Sequence, residues 1–345
     1  MAQVLALFIE CGQGETVLLQ LEGKYCILID CHLPRGPVRD SFFEIVEQLT
    51  IQRLDVLCLT HPHEDHYHGM LEVVNYFTAG GRTLGVFCDS GTSAREILTL
   101  MRRRGRPGSE IQEFEALQNR LSGLIRKGSV GYFRADENSG PILTSRDQER
   151  LVFGAVGPAP ARMKLGVREA VLGEKAGDLN LVSLVFQLRV RDGGKEFDAL
   201  LCGDADGDSV NRALERLGPG RAFDLVKVPH HGSYQSHRGS RLTAYGKKEL
   251  AAAVICSGTD FAVLPDREVM RDFLNNGWTV LLTRKRLRQS RCYALQAIGR
   301  ATGGLAVQAQ AIRVGWSPAK GAEWSPESAR VTAEDLANYQ TASRS

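Results

Sequence analysis

Leu54-Asp55-Val56-Leu57-Cys58-Leu59-Thr60-His61-Pro62-His63-Glu64-Asp65-His66-Tyr67-His68-Gly69 decides how this chain is to be read. Its first six residues form a mainly apolar run of strand length. The residues that follow place five metal-capable side chains in the six positions 61–66, and His68 comes shortly after. Four of the chain's eight histidines fall within residues 61–68, a density chance rarely produces. A strand ending in a tight loop can turn His61 and His63, at i and i+2, toward one ion, and Asp65 and His66 toward a second. Neutral imidazole nitrogen and carboxylate oxygen are the ligand set of a hydrolytic Zn or Mn site. The loop is therefore expected to bind metal.

Three further strands end in the same chemistry. Ile27-Leu28-Ile29 runs into Asp30. Ala199-Leu200-Leu201-Cys202 runs into Gly203-Asp204, where Gly203 lets the backbone turn and Asp204 is available to bridge two ions. Leu225-Val226-Lys227-Val228 runs into Pro229-His230-His231-Gly232-Ser233. Strands that each end in Asp or His are how a binuclear hydrolase site is assembled, with two metals roughly 3.5–4 Å apart activating a water.

The composition fits a protein that holds such a site in a folded core. The chain has 345 residues, 43% hydrophobic and 24% charged, values ordinary for a soluble globular protein. No apolar run reaches the ~20 residues of a membrane helix, and Met1–Glu10 reads as a first strand rather than a signal peptide. The cysteines at 11, 26, 31, 58, 88, 202, 256 and 292 form no Cys-x-x-Cys, and most lie in apolar runs. They read as small buried hydrophobes in a reducing compartment, so the expected location is the cytoplasm. Net charge is only +3. Two basic clusters stand out, Arg102, Arg103, Arg104 and Arg106, and Arg284, Lys285, Arg286, Arg288 and Arg291. Either could contact phosphates, although a solvated face would use the same residues.

Short apolar runs separated by turns predict a strand meander over 4–31 and a strand entering the His loop. Further strands are expected at 84–89, 150–156, 181–190, 197–202, 224–229, 251–256, 279–283, 292–298 and 305–312. Helical spacing appears at 41–50, 94–101 and 113–125. The result is one hydrolase domain over 1–315 with a helical insert at about 93–127, a mobile loop at 159–178 and a loosely ordered tail at 316–345. A short helix is expected near 333–339. The strand-rich halves, 1–90 and 150–312, suggest two sheets flanked by helices. The insert or the tail could carry a surface for a protein partner.

Gly12-Gln13-Gly14-Glu15, Leu28-Ile29-Asp30, Leu59–His66, Asn180-Leu181-Val182-Ser183-Leu184, Leu201–Asp204 and Val228–Ser233 together resemble the metallo-β-lactamase superfamily. Gly-Gln-Gly and His-His-Gly-Ser point to the hydrolase domain of its ComEC-like DNA-uptake subgroup, here without the membrane channel. The resemblance covers roughly residues 3–300. It implies an α/β fold, an αββα sandwich of two mixed sheets, with two divalent ions (Zn or Mn) at one edge. Carried over, His61 and His63 hold the first metal, Asp65 and His66 the second, and Asp204 bridges. His230 is the late ligand, and His231 stands beside it or touches substrate. Asp65 doubles as general base, and Asp30 orients the His loop by hydrogen bonds. Ser233 and Ser236 could donate to phosphate oxygens, although a turn would use the same residues, and Arg284, Arg286 and Arg288 are expected to track the substrate backbone.

The departures are specific. No histidine occurs between His68 and His230, so the usual middle ligand is missing. Asp178 or Asn180 could substitute with an oxygen, which favours Mn at that position; alternatively only one ion binds tightly. Where the subgroup has a downstream His-Pro, this chain has Val263-Leu264-Pro265-Asp266. The expected function is a metal-dependent phosphodiesterase, a nuclease on DNA or RNA. The alternatives are a hydrolase of a small phosphodiester, phosphocholine ester or lactone, and a scaffold or regulatory subunit with a degraded site.

Overall fold

The computed structural model describes residues 4–12, 14–145, 150–160, 179–247, 251–256, 264–283, 311–317 and 321–325. Two mixed sheets carry the molecule. The first has eight strands: β1 (Val4–Ile9), β2 (Val17–Leu21), β3 (Tyr25–Ile29), β4 (Arg53–Cys58), β5 (Thr83–Asp89), β6 (Gly131–Arg134), β14 (Ala311–Ser317) and β15 (Gly321–Ser325). Their order across the sheet is β15-β14-β1-β2-β3-β4-β5-β6. The second sheet, in the order β13-β12-β11-β10-β9-β8-β7, uses β7 (Leu143–Thr144), β8 (Leu151–Gly157), β9 (Val185–Asp192), β10 (Lys195–Leu201), β11 (Leu225–Lys227), β12 (Ala252–Ile255) and β13 (Thr279–Leu282).

Each sheet is half meander and half parallel. In the first, β1, β2 and β3 pair antiparallel, and β3 through β6 then run parallel. In the second, β7 to β10 alternate in direction and β10 through β13 run parallel. Parallel neighbours bring their carboxyl ends to one edge, where open α/β sheets collect their ligands. Asp30 and the His loop leave the adjacent strands β3 and β4. Asp204 and His230–His231 leave the equivalent pair, β10 and β11.

The sandwich follows from alternation along the strands. Ala6 and Phe8 of β1, Val56 and Cys58 of β4, and Ala199 and Leu201 of β10 point between the sheets into one buried cluster. Their neighbours Leu7, Ile9 and Leu57 point outward under the helices of the first sheet, and Leu200 points outward under those of the second. The first helical layer comprises α1 (Pro37–Gln48), α3 (Met70–Phe77), α4 (Ala94–Arg103) and α5 (Gly108–Arg126). Short α2 (Glu64–Tyr67) lies within the His loop itself. The second layer is α6 (Gly207–Leu217), short α7 (Tyr234–His237) and α8 (Arg267–Asn275). This is the αββα arrangement expected from the sequence. The seven described cysteines are buried and unpaired. No helix among the described residues is long and apolar enough to cross a membrane.

Position 316, the expected start of the tail, falls inside β14, and the sheet continues through β15 to Ser325. The expected strands at 292–298 and most of 305–312, nearly all of the 159–178 loop and the helix near 333–339 lie outside the described residues. So do Asp178, Arg284, Arg286 and Arg288.

Candidate metal centre

The centre begins with Asp30, which is fully buried at the end of β3. Its Oδ1 accepts the Thr60 backbone N–H at 2.7 Å and its Oδ2 accepts the Thr60 hydroxyl at 2.6 Å. The same Oδ2 lies 2.7 Å from His66 Nδ1. A carboxylate that takes Nδ1–H fixes the tautomer and leaves Nε2 as the free lone pair, the usual way a protein presents imidazole to an ion. His66 Nε2 has no hydrogen-bond partner although the ring is buried.

Around that nitrogen, Asp65, His66, Asp204 and His231 each offer one ligand atom, all within 4.8 Å of one another. Asp204 Oδ2 is 3.5 Å from His66 Nε2, 3.7 Å from His231 Nε2 and 3.8 Å from His230 Nε2. Asp65 Oδ2 is 3.5 Å from His231 Nε2. His231 Nδ1 is 2.8 Å from the Cys256 carbonyl oxygen, which orients the ring as Asp30 orients His66. Two imidazoles and two carboxylates converging on one buried point, with a buried ring nitrogen lacking any hydrogen-bond partner, fit a divalent ion.

Charge responds accordingly. Burial works against protonated His66, but the carboxylates of Asp30, Asp204 and Asp65 outweigh it and hold the ring well above the usual histidine range. For Asp204, burial favours the neutral acid, and the facing His231, His66 and Lys227 overcome it, holding the carboxyl well below its usual range. Without an ion, protons on the rings therefore balance the carboxylates; an ion would displace those protons.

His61 and His63 stand beside this cluster. His61 Nε2 lies 2.8 Å from His63 Nδ1, and His61 Nδ1 lies 3.1 Å from the Thr60 hydroxyl. Burial, followed by the neighbouring His66 and His63, pushes His61 well below the ordinary histidine value. Its ring is thereby favoured in the neutral form. His61 and His63 fall outside the compact group of four.

The structure differs from the sequence reading at the adjacent histidines. His231, at 1% exposed, joins the group of four; His230, with a side chain 31% exposed, stands at its open side. His230 Nδ1 is 2.8 Å from the Ser236 hydroxyl and 3.3 Å from Asn180 Nδ2. Ser236, expected to contact phosphate, is buried and bonded to His230 instead, and Asn180 sits against the same ring. Ser233 is buried at the head of α7. Both histidines adopt left-handed backbone, φ 48° and 52°, a conformation that costs of order 1–3 kcal/mol per residue and persists where the surroundings impose it. Sequence does not encode which ring such a turn sends inward. At the departure from the subgroup motif, Asp266 N–H donates to the Gly232 carbonyl and its Oδ2 accepts the Tyr234 N–H, so this segment braces the His-His-Gly turn.

Two glycines are required by close packing. Gly14 has φ 150°, and a Cβ there would lie 2.4 Å from the His32 ring. Gly203 has φ 47°, and a Cβ there would lie 2.5 Å from Ser183 Oγ, the atom that accepts the Asp204 N–H. Gly203→Ala should therefore swing Asp204 away from the cluster. We expect a loss of roughly 1–3 kcal/mol in stability and loss of bound metal, checked by thermal denaturation beside metal analysis. Unchanged metal content would show that the Gly-Asp turn tolerates the side chain.

The helical insert reaches the centre through α5. Glu113 accepts the Gly69 N–H at 3.0 Å and pairs with His68 Nδ1 at 2.8 Å, while Phe114 packs on Tyr67 at 5.0 Å between ring centroids. Beyond Glu113, the residues that reading by motif overlooked are Thr60 and Lys227. Their signal was polarity inside an apolar run: Lys227 sits among Leu225, Val226 and Val228 and is fully buried.

An αββα sandwich with a His/Asp cluster at the carboxyl ends of its parallel strands is the arrangement that the sequence resemblance implied. Residues 9–160 match the family model described as the Metallo-beta-lactamase superfamily, whose members are mostly metal-dependent hydrolases. That segment contains the His loop; Asp204 and His230–His231 lie beyond it. Among solved structures, the metallo-beta-lactamase fold protein YhfI from Bacillus subtilis is 14% identical with a TM-score of 0.44, covering 81% of this chain and 96% of its own. The CmlA beta-hydroxylase E377D mutant is 14% identical with a TM-score of 0.45, covering 81% of this chain and 52% of its own. A diphosphatase from the PhnP family is 13% identical with a TM-score of 0.39, covering 82% and 86%. No curated protein matches the sequence.

Proposed function

We propose that this protein is a metal-dependent phosphodiesterase, a nuclease of the ComEC-like subgroup acting on DNA or RNA. The observation that carries this reading is the convergence of Asp65, His66, Asp204 and His231 on one buried point beside the His61–His63 pair. Bound Zn or Mn would supply Lewis-acid polarisation of a phosphoryl oxygen and a water activated at neutral pH. The protein's own residues do the rest. Asp65, partly exposed, accepts the proton of the attacking water. His230 stands at the open side with Nδ1 held by Ser236, so Nε2 is directed beside Asp204 and can donate to the leaving oxygen. Asp30 and the Cys256 carbonyl keep the ligating rings in place as charge develops.

A polyanionic substrate is favoured by Arg102, Arg103, Arg104 and Arg106, all exposed at the α4–α5 turn of the insert that grips the His loop. Replacing Arg102, Arg103 and Arg104 together with Ala should weaken binding of single-stranded DNA and flatten its salt dependence. For every phosphate no longer neutralised, the slope of log K against log salt falls by about 0.7. Titrations of a fluorescent oligonucleotide between low and physiological salt would measure this. A slope unchanged by the triple substitution would remove the turn from the substrate path. Cleavage assays on single- and double-stranded DNA and RNA, using metal-stripped protein resupplied with Mn, Zn or Mg, test the activity itself. Stoichiometric bound metal without nucleic-acid cleavage would transfer the reading to a small phosphodiester.

A further inference from the structure

Lys227, at the end of β11, has no contact with solvent. Burying an ammonium group is costly unless every N–H finds an oxygen. Here Nζ donates to the Gly203 carbonyl at 2.6 Å, pairs with Glu15 Oε2 and lies 3.6 Å from Asp204 Oδ1. The Gly203 carbonyl also accepts the His230 backbone N–H at 3.0 Å. Glu15, likewise fully buried, donates its backbone N–H to the Asp65 carbonyl. One ammonium therefore touches the Gly-Asp turn and, through Glu15 and Gly203, both histidine-bearing loops.

The consequence for Asp204 is a division between its two oxygens. Oδ1 faces Lys227, whereas Oδ2 faces the three ring nitrogens of His66, His231 and His230. A carboxylate that rotated freely about its last bond could offer an ion either oxygen or both. With a cation fixed on one side, one oxygen is reserved and the other is left for the ligand cluster.

We propose that Lys227 is a positioning residue that holds Oδ1 of Asp204 and so presents Oδ2 alone to the bound metal, with Glu15 as the counter-charge that keeps Lys227 there. This rests on the metal-centre reading above and goes beyond it in assigning the second carboxylate oxygen and a buried Glu–Lys pair a role in metal affinity. A purely structural pair, or a cation that merely opposes metal charge, would behave differently on substitution.

The test compares wild-type protein, Lys227→Met and the paired variant Lys227→Met/Glu15→Gln. Each is stripped of metal and titrated with Zn and Mn against a chelator, and the melting temperature of the metal-free form is recorded alongside. Lys227→Met should bind metal about 10–100-fold more weakly, the usual effect of losing a partner that orients a ligand. The paired variant, which leaves no uncompensated buried charge, should recover melting temperature while its metal affinity stays low. If the single variant does not fold, the paired variant decides the question. Affinity unchanged or tightened in either variant would overturn the proposal, as would affinity in the paired variant returning to the wild-type value. Failure of the wild-type protein itself to take up Zn or Mn would overturn the metal-centre reading and the proposal together; equal binding by wild type and variants overturns the proposal alone.

Discussion

On the proposed phosphodiesterase reading, Asp204→Asn should lower cleavage by about 10³-fold or more and reduce bound metal by at least half. Asp204 Oδ2 faces three ring nitrogens at once, at 3.5, 3.7 and 3.8 Å. An amide in its place carries no charge, and whichever of its two atoms turns inward, the site loses an anionic oxygen. Metal polarisation contributes several kcal/mol to such reactions, and each 1.36 kcal/mol is tenfold in rate. The backbone turn survives, because the Asp204 N–H still donates to Ser183 Oγ. Metal content and initial rates on a phosphodiester substrate measure both effects. A variant with full metal content and full activity would show that Asp204 is not a ligand.

The second large effect is expected at Asp30, and it takes a different form. Asp30→Ala removes the acceptor for the Thr60 N–H, the Thr60 hydroxyl and the His66 ring in one substitution. All these groups are buried, so the donors are stranded without water. Breaking a buried network of this kind costs about 3–5 kcal/mol, which lowers the melting temperature of a chain of this size by roughly 10 °C. Metal affinity should fall about 10–100-fold as His66 loses its orientation. The contrast with Asp204→Asn is diagnostic: Asp30→Ala should depress the melting temperature of the metal-free protein sharply. If that temperature is unmoved, Asp30 does not organise the loop.

Much of this architecture is legible in the sequence because the determinants are local. Short apolar runs mark β1 to β4, and Gly12, Gly14 and Gly23 mark turns between them. The chemistry sits at strand ends, where Asp30, His61–His66, Asp204 and His230–His231 can be read directly. Helices α3, α6 and α8 are harder to see. Met70–Phe77 follows the His loop with only Gly69 between them, while Gly207–Leu217 and Arg267–Asn275 are short and rich in charge, helical through their packing on the sheets. The inward member of the His230–His231 pair depends on two left-handed residues, which no side-chain pattern signals. Lys227 was hidden for the opposite reason. A lone charge in a strand reads as a surface residue until its partners, Glu15 and Gly203, arrive from distant parts of the chain.

The ligand cluster draws Asp65 and His66 from the first sheet and Asp204 and His231 from the second. An ion shared between Asp65 and Asp204 would close a loop of roughly 140 residues, on the scale where a covalent cross-link constrains the unfolded chain most. The described cysteines form no disulfide. In this molecule the inorganic ion would therefore act as the cross-link between the two halves of the sandwich, linking the durability of the fold to the metal supply that governs its chemistry.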